Sequence, residues 1–223
     1  MAGTIIPRRF VEWLSGLLLL AVAYGFALAP ARAEAQAGSV TGQGAAAAVT
    51  TTTSAQQFAP AALPNAGGMA DSELASVAVP STLSADGLAS ITTGQLDQTL
   101  VSATTTAQAA NVNVLSGLIT AEAVLAVATS YANGVTATSE SNGSALVGLV
   151  VNGVNYADVP PAPNTQVRLP GVGYVVLNEQ LPAGDGVHTT GLTVTMIHVY
   201  LTDAQGAPTG DIVIGMAKSG ANL

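Results

Sequence analysis

Cysteine is absent from this chain. That excludes disulfide staples and thiolate chemistry, so any fold must be held by burial alone. Cations are almost absent beyond the first 35 residues. Arg168 and Lys218 stand there against eleven carboxylates, Asp71, Glu73, Asp86, Asp97, Glu122, Glu140, Asp158, Glu179, Asp185, Asp203 and Asp211, a net charge of −9. A surface this acidic repels phosphate backbones and anionic lipid, which excludes nucleic acid as a partner. The one tryptophan is Trp13, and the aromatics after residue 35 are Phe58, Tyr131, Tyr156, Tyr174 and Tyr200. So few rings give little material for the aromatic platforms of carbohydrate-processing sites. Metal-protease and hydrolase signatures, HExxH and G-x-S-x-G, are absent as well.

What is present begins with an export signal. Arg8 and Arg9 form a charged head, Gly16 to Ala29 is an uncharged apolar run, and Pro30 breaks it. Ala31-Arg32-Ala33 and Ala33-Glu34-Ala35 offer small-x-small cleavage patterns. A spanning helix needs roughly 20 apolar residues, and this run is shorter. Residues 1–35 are therefore expected to be a signal peptide, cleaved after Ala33 or Ala35. Residues 36–70, including "GAAAAVTTTTSA", read as a low-complexity Ala/Thr-rich extended arm or edge strand, and 71–223 as a β domain. Roughly 190 residues suffice for one sizeable core.

Strand signals dominate the second half. "ALVGLVVNGVNYADV" sets Asn152-Gly153 between apolar runs, and Asn-Gly takes the positive φ angles of a type I′ turn with little strain. A hairpin is expected over Ala145–Val151 and Val154–Val159. Pro160, Pro161 and Pro163 mark a loop, since proline cannot donate to a ladder. Two strands are expected around Pro170-Gly171. Leu192–Thr202 and Asp211–Lys218 then form a closing hairpin across "DAQGAPTG". Leu192–Thr202 is apolar at even and odd positions alike, which implies a strand buried on both sides or packed in a second layer. Leu96, Leu100 and Ala103 lie at helical spacing and allow a short helix. Val77–Leu88 and Val112–Val124 echo one another and read as two strand–turn–strand units, with Asp86 or Glu122 at the turn. The fold expected is all-β, a predominantly antiparallel two-layer sandwich.

The ordered segments "VNVLSGLITAEAVLAVATS", "SALVGLVVNGVNY", "PNTQVRLPGVGYVVLNEQ", "LTVTMIHVYLT" and "GDIVIGMAKS" resemble the choice-of-anchor P family of exported bacterial surface proteins. The resemblance runs from about Val77 to Lys218. It implies export and a surface location, and it transfers no activity, cofactor, catalytic residue or binding residue. The five residues after Lys218 depart from the family's pattern of C-terminal sorting signals: they hold no LPxTG-like motif and no terminal apolar helix.

Candidate chemistry is thin. His188 lies in a glycine-rich loop and His198 in a strand. A triad or metal site needs convergent partners, and none is visible at sequence spacing, so His198 reads as a strand residue satisfied by a neighbour. Asp185, Asp203 and Asp211 are turn carboxylates that suit calcium's oxygen preference but lack an EF-hand spacing, and so read as solvated turn residues. Asn142-Gly-Ser144 matches a glycosylation sequon. The expected function is a secreted or cell-surface structural or adhesive protein. No enzymatic activity is expected, and no catalytic, cofactor-binding or metal residue is assigned. Its partner would be a cell-envelope or extracellular-matrix component. The alternatives are a strand-exchanging subunit that self-associates through edge strands, and a carboxylate-dependent hydrolase.

Overall fold

Strands alternate with tight turns along the whole of the described chain. The computed structural model describes residues 38–156 and 161–223, so the expected signal peptide and the far end of the expected Val154–Val159 strand lie outside the described residues. Fourteen strands form: β1 (Ser39–Thr51), β2 (Ala55–Ala62), β3 (Gly68–Val79), β4 (Leu83–Leu96), β5 (Val101–Val114), β6 (Ile119–Ala132), β7 (Ala137–Glu140), β8 (Ala145–Val147), β9 (Val150–Val151), β10 (Val154–Asn155), β11 (Thr165–Leu169), β12 (Gly173–Gly184), β13 (Thr189–Thr202) and β14 (Pro208–Asn222). They make two antiparallel sheets packed as a sandwich. The first has the order β11-β12-β13-β14-β1-β2. The second runs β10-β9-β6-β5-β4-β3, with β7 and β8 also on β6. The described chain starts in the first sheet, meanders through the second, and returns.

Several expectations need correction. The Ala/Thr-rich stretch is not an arm: β1 lies inside the first sheet, and β2 forms one edge of that sheet. β1 pairs with β14 on one side and β2 on the other, Ala46 and Ala47 are fully buried, and one compact unit spans Gln36–Leu223 with no boundary at 71. Alanine and threonine suit this place because they keep the pleat while adding little bulk between closely packed layers. The helix suggested by Leu96, Leu100 and Ala103 is replaced by a turn between β4 and β5. There the Asp97 amide donates to the Leu100 carbonyl, and the Thr99 amide donates to Asp97 Oδ1. β14 runs on past Lys218, with Ala221 buried and in register with Val40 and Thr190.

The hairpin turns are as expected. Asn152 and Gly153 have φ of 50° and 78°, as a type I′ turn requires, though the paired strands are only β9 and β10. At Leu169-Pro170-Gly171-Val172 the Val172 amide donates to the Leu169 carbonyl and Gly171 has φ 74°. Proline followed by a left-handed glycine is the type II arrangement.

The doubly apolar Leu192–Thr202 has a different cause from burial on both sides. Leu192 and Val194 are buried, then Ile197 and Val199, while His198 and Tyr200 are only half-buried. The strand changes which parity faces the core at Met196. The change is shared across the sheet. Ala59, Ala46, Gly215, Met196 and Asn178 fall at the one position that all four ladders skip, and Ala59, Gly215 and Asn178 have φ of 48°, 64° and 51°. A left-handed residue turns the following side chain to the opposite face, as in a β-bulge. The second sheet has its own crease, where Gly87 and Asn111 have φ of 56° and 49° and the β5–β6 ladder skips Asn111 and Glu122. The two creases face each other, since a β-carbon on Gly215 would lie 2.8 Å from Val124 Cγ1. The internal echo is two β-hairpins, β3–β4 and β5–β6, but Asp86 and Glu122 sit at the crease and not at the turns.

The interior holds a large apolar cluster around Leu88, Ile119, Leu177, Ile197 and Ile214 and a smaller one around Val40, Leu63 and Val101. Buried hydroxyls lie between them. Thr105 Oγ1 donates across the layers to the Lys218 carbonyl at 2.9 Å and contacts Thr92 Oγ1 at 2.8 Å. Ser130 Oγ bridges to Ser219 Oγ at 2.7 Å. Such short side chains reach across only because the sheets come close. A β-carbon at Gly42 would overlap Thr92 Oγ1.

Candidate functional site

The outer face of the first sheet carries a row of chemistry-bearing residues on neighbouring strands. Arg168 on β11, Tyr174 on β12, Tyr200 on β13 and Asp211 on β14 are successive register partners. Tyr174 and Tyr200 stack with centroids 4.7 Å apart, and His198, two residues before Tyr200, stacks on it at 4.0 Å. Two rings this close cannot share one face of Tyr200, so Tyr200 is held between them.

His198 is bonded at both ring nitrogens. Nδ1 lies 2.6 Å from Glu179 Oε2, and Nε2 lies 3.2 Å from Asp211 Oδ2. Tyr200 donates its hydroxyl to the other Glu179 oxygen at 2.8 Å. Burial and the Glu179 carboxylate push the Tyr200 phenol well above its ordinary pKa, so it stays a donor. A carboxylate only accepts, so a ring nitrogen that carries a proton donates it to its carboxylate partner. The side chains of His198 and Glu179 are 16% and 13% exposed, which makes these bonds worth more than surface pairs.

Glu179 reaches His198 because of the crease. With strict alternation it would share the interior face of Leu177. The left-handed Asn178 between them sends it outward. His198 thus has a satisfied strand setting, as expected, but with two carboxylate partners that sequence spacing did not reveal. Glu179, Tyr174 and Tyr200 were missed for the same reason: they converge across strands, through register and not through spacing.

The other candidates stay apart. His188 sits in its loop 3.7 Å from Asp185. Asp185 Oδ1 accepts the amides of Val187, His188 and Thr189 at 2.8–2.9 Å. These amide bonds, Thr189 first, hold its carboxyl well below the usual carboxylate range. Asp203 Oδ1 accepts the amides of Gln205 and Ala207. Asp211 is with His198. The three turn carboxylates weighed for calcium therefore do not converge, and among the described residues no group of three or more His, Cys, Asp or Glu is placed to hold a metal ion. Asn142 donates its amide to Glu140 at 2.7 Å.

Beside Tyr174 lies an open cavity of about 660 Å³ between the Leu169–Gly173 and Thr202–Gly206 turns. Gln166, Arg168, Tyr174, Thr202 and Asp203 supply its polar lining, and Pro170 and Val172 its apolar part. Comparison with protein-family models, with curated proteins and with solved structures gives no match for this chain.

Proposed function

We propose that this chain is an exported, non-catalytic structural or adhesive domain that works at the cell surface or in the extracellular matrix. The observation that carries the reading is the use of the His198 cluster. A general base needs one ring nitrogen facing substrate, and here both are bonded to Glu179 and Asp211. Glu179 spends its two oxygens on His198 and Tyr200. Groups engaged in this way tie β12, β13 and β14 together. The export half of the reading rests on the A-x-A pattern after an apolar run and on the resemblance to choice-of-anchor P proteins. The partner proposed is a cell-envelope or matrix component.

The strand-exchanging alternative is less favoured by the edges. β3 carries Asp71 and Glu73, and β2 carries Pro60; charge and proline are the usual guards against edge pairing. The purified protein should be retained on envelope or matrix material, scatter light as a monomer over a wide concentration range, and turn over no member of a glycan and ester panel. Polymer growth with concentration would favour strand exchange, and turnover would favour a hydrolase. Either result refutes the proposal.

A further inference from the structure

Arg168 is one of two cations among the described residues, in a unit where carboxylates dominate. It is exposed, lines the cavity beside Tyr174, and forms no ion pair or hydrogen bond with a described residue. The Tyr174 hydroxyl and the Gln166 amide, on the same wall, are likewise unengaged among the described residues. Asp203 spends Oδ1 on its own turn and has Oδ2 to spare. An acidic protein has many carboxylates with which to neutralise an arginine, yet Arg168 pairs with none of the described ones, although Asp203 lines the same cavity. The cavity's form is set by the type II turn at Pro170-Gly171 and by the Asp203 turn, so it is built by the local sequence before any ligand arrives. Its size lies within the range of small-ligand sites.

We propose that this cavity binds a carboxylate-bearing sugar, a uronate-type residue within an otherwise neutral glycan. The inference rests on the adhesive reading above and names the ligand class of its site. The Arg168 guanidinium takes the sugar carboxylate in a forked pair, the contact for which its planar donors are suited. Gln166 and the Tyr174 hydroxyl each both donate and accept, and Asp203 Oδ2 accepts, which together match a ring of hydroxyls. The wide acidic surface selects against ligands carrying many charges, so an acidic peptide is disfavoured and a lone carboxylate is tolerated. Recognition here is by polar groups around one cation, which is why a chain poor in aromatics can still do it.

The test uses methyl glucuronide, methyl glucoside and a triglutamate peptide, each titrated into the purified protein and followed by amide shifts. The glucuronide should move the amides of residues 166–174 and 202–206. Arg168→Gln should weaken it about tenfold or more, the loss expected for a hydrogen-bonded charge. Arg168→Lys should restore part of that, and Lys218→Gln should change nothing. Equal binding of glucoside and glucuronide, an unaffected Arg168→Gln variant, shifts elsewhere, or tighter binding of triglutamate would each overturn the proposal. The two readings fail separately. Retention of wild type and Arg168→Gln alike on envelope material, with no glucuronide binding, sinks the ligand and leaves the adhesive reading. Glucuronide binding with no retention does the reverse.

Discussion

Replacing Gly215 by alanine tests whether the crease is a fixed part of the fold. Two costs meet there. Gly215 has φ 64°, and a β-carbon in the left-handed region costs about 1–2 kcal/mol. That β-carbon would also lie 2.8 Å from Val124 Cγ1 and 3.6 Å from Met196. Val124 is buried in the facing sheet, and overpacking of this kind costs about 1–3 kcal/mol. Against these, alanine lowers the entropy of the unfolded chain by about 0.4–1 kcal/mol. The net expectation is a loss of about 2–4 kcal/mol, or roughly 5–15 °C in Tm for a domain of this size. Gly153→Ala is the matched control. Its φ is 78° and nothing lies within 4 Å of the added carbon, so only the backbone cost and the entropy gain apply, leaving about 1 kcal/mol or less. Urea unfolding of both variants reads the difference. The double variant of Gly215→Ala with Val124→Ala should lose less than the sum of the two single losses, because the pair is in contact and the overlap is removed. Equal losses at 215 and 153, or strict additivity with Val124→Ala, would refute the account of two creases pressed face to face.

Glu179→Gln and His198→Gln should each lower stability by about 1–2 kcal/mol, with the double variant losing less than the sum; additive losses in urea unfolding would show that the bond does not couple them. Asp185→Ala should strip hydrogen-exchange protection from the amides of Val187, His188 and Thr189. Because the folded Asp185 carboxyl titrates below its ordinary range, its contribution is present above about pH 4, the unfolded value, and is lost only as pH falls further. The wild-type loop should accordingly keep its protection at pH 4, and early loss there would contradict the three-amide cap. Thr105→Val leaves the Lys218 carbonyl and the Thr92 hydroxyl short of a partner in the interior, so it should cost about 1–3 kcal/mol; a neutral result in thermal unfolding would mean that the interlayer hydroxyls do not hold the sheets.

Turns and strands were legible in the sequence because their causes are local. Asn152-Gly153 and Pro170-Gly171 take backbone angles that few other pairs accept, and valine and threonine mark the pleated segments between them. The place of β1 was not legible. Nothing in "GAAAAVTTTT" says whether an alanine faces solvent or a closely packed sheet, since alanine suits both. That answer lies in β14, some 170 residues away, whose register carries Ala45 against Met216 and Ala47 against Ile214. The His198 cluster was illegible for a related reason, because its parts come from three strands and meet only through pairing.

The creases were written in the sequence, in a form that a strict period of two obscures. Inward residues two apart become three apart once within each of five strands: Ala85 to Leu88, Ala109 to Val112, Ala121 to Val124, Val194 to Ile197, Ile214 to Ala217. The repeated "SADGL" and "TAEAV" are two instances of that slip, which is why Asp86 and Glu122 stand where the parity changes and not at the turns. A strand that slips shows apolar residues at both parities and so imitates one buried on both faces, as Leu192–Thr202 does. The same slip decides the site. Without the left-handed Asn178, Glu179 would enter the core as an unpaired charge, at a cost of several kcal/mol. With it, the carboxylate reaches His198 and Tyr200 on the outer face. The crease is therefore what allows one strand to serve two different interiors and still keep its charged residue where it has partners.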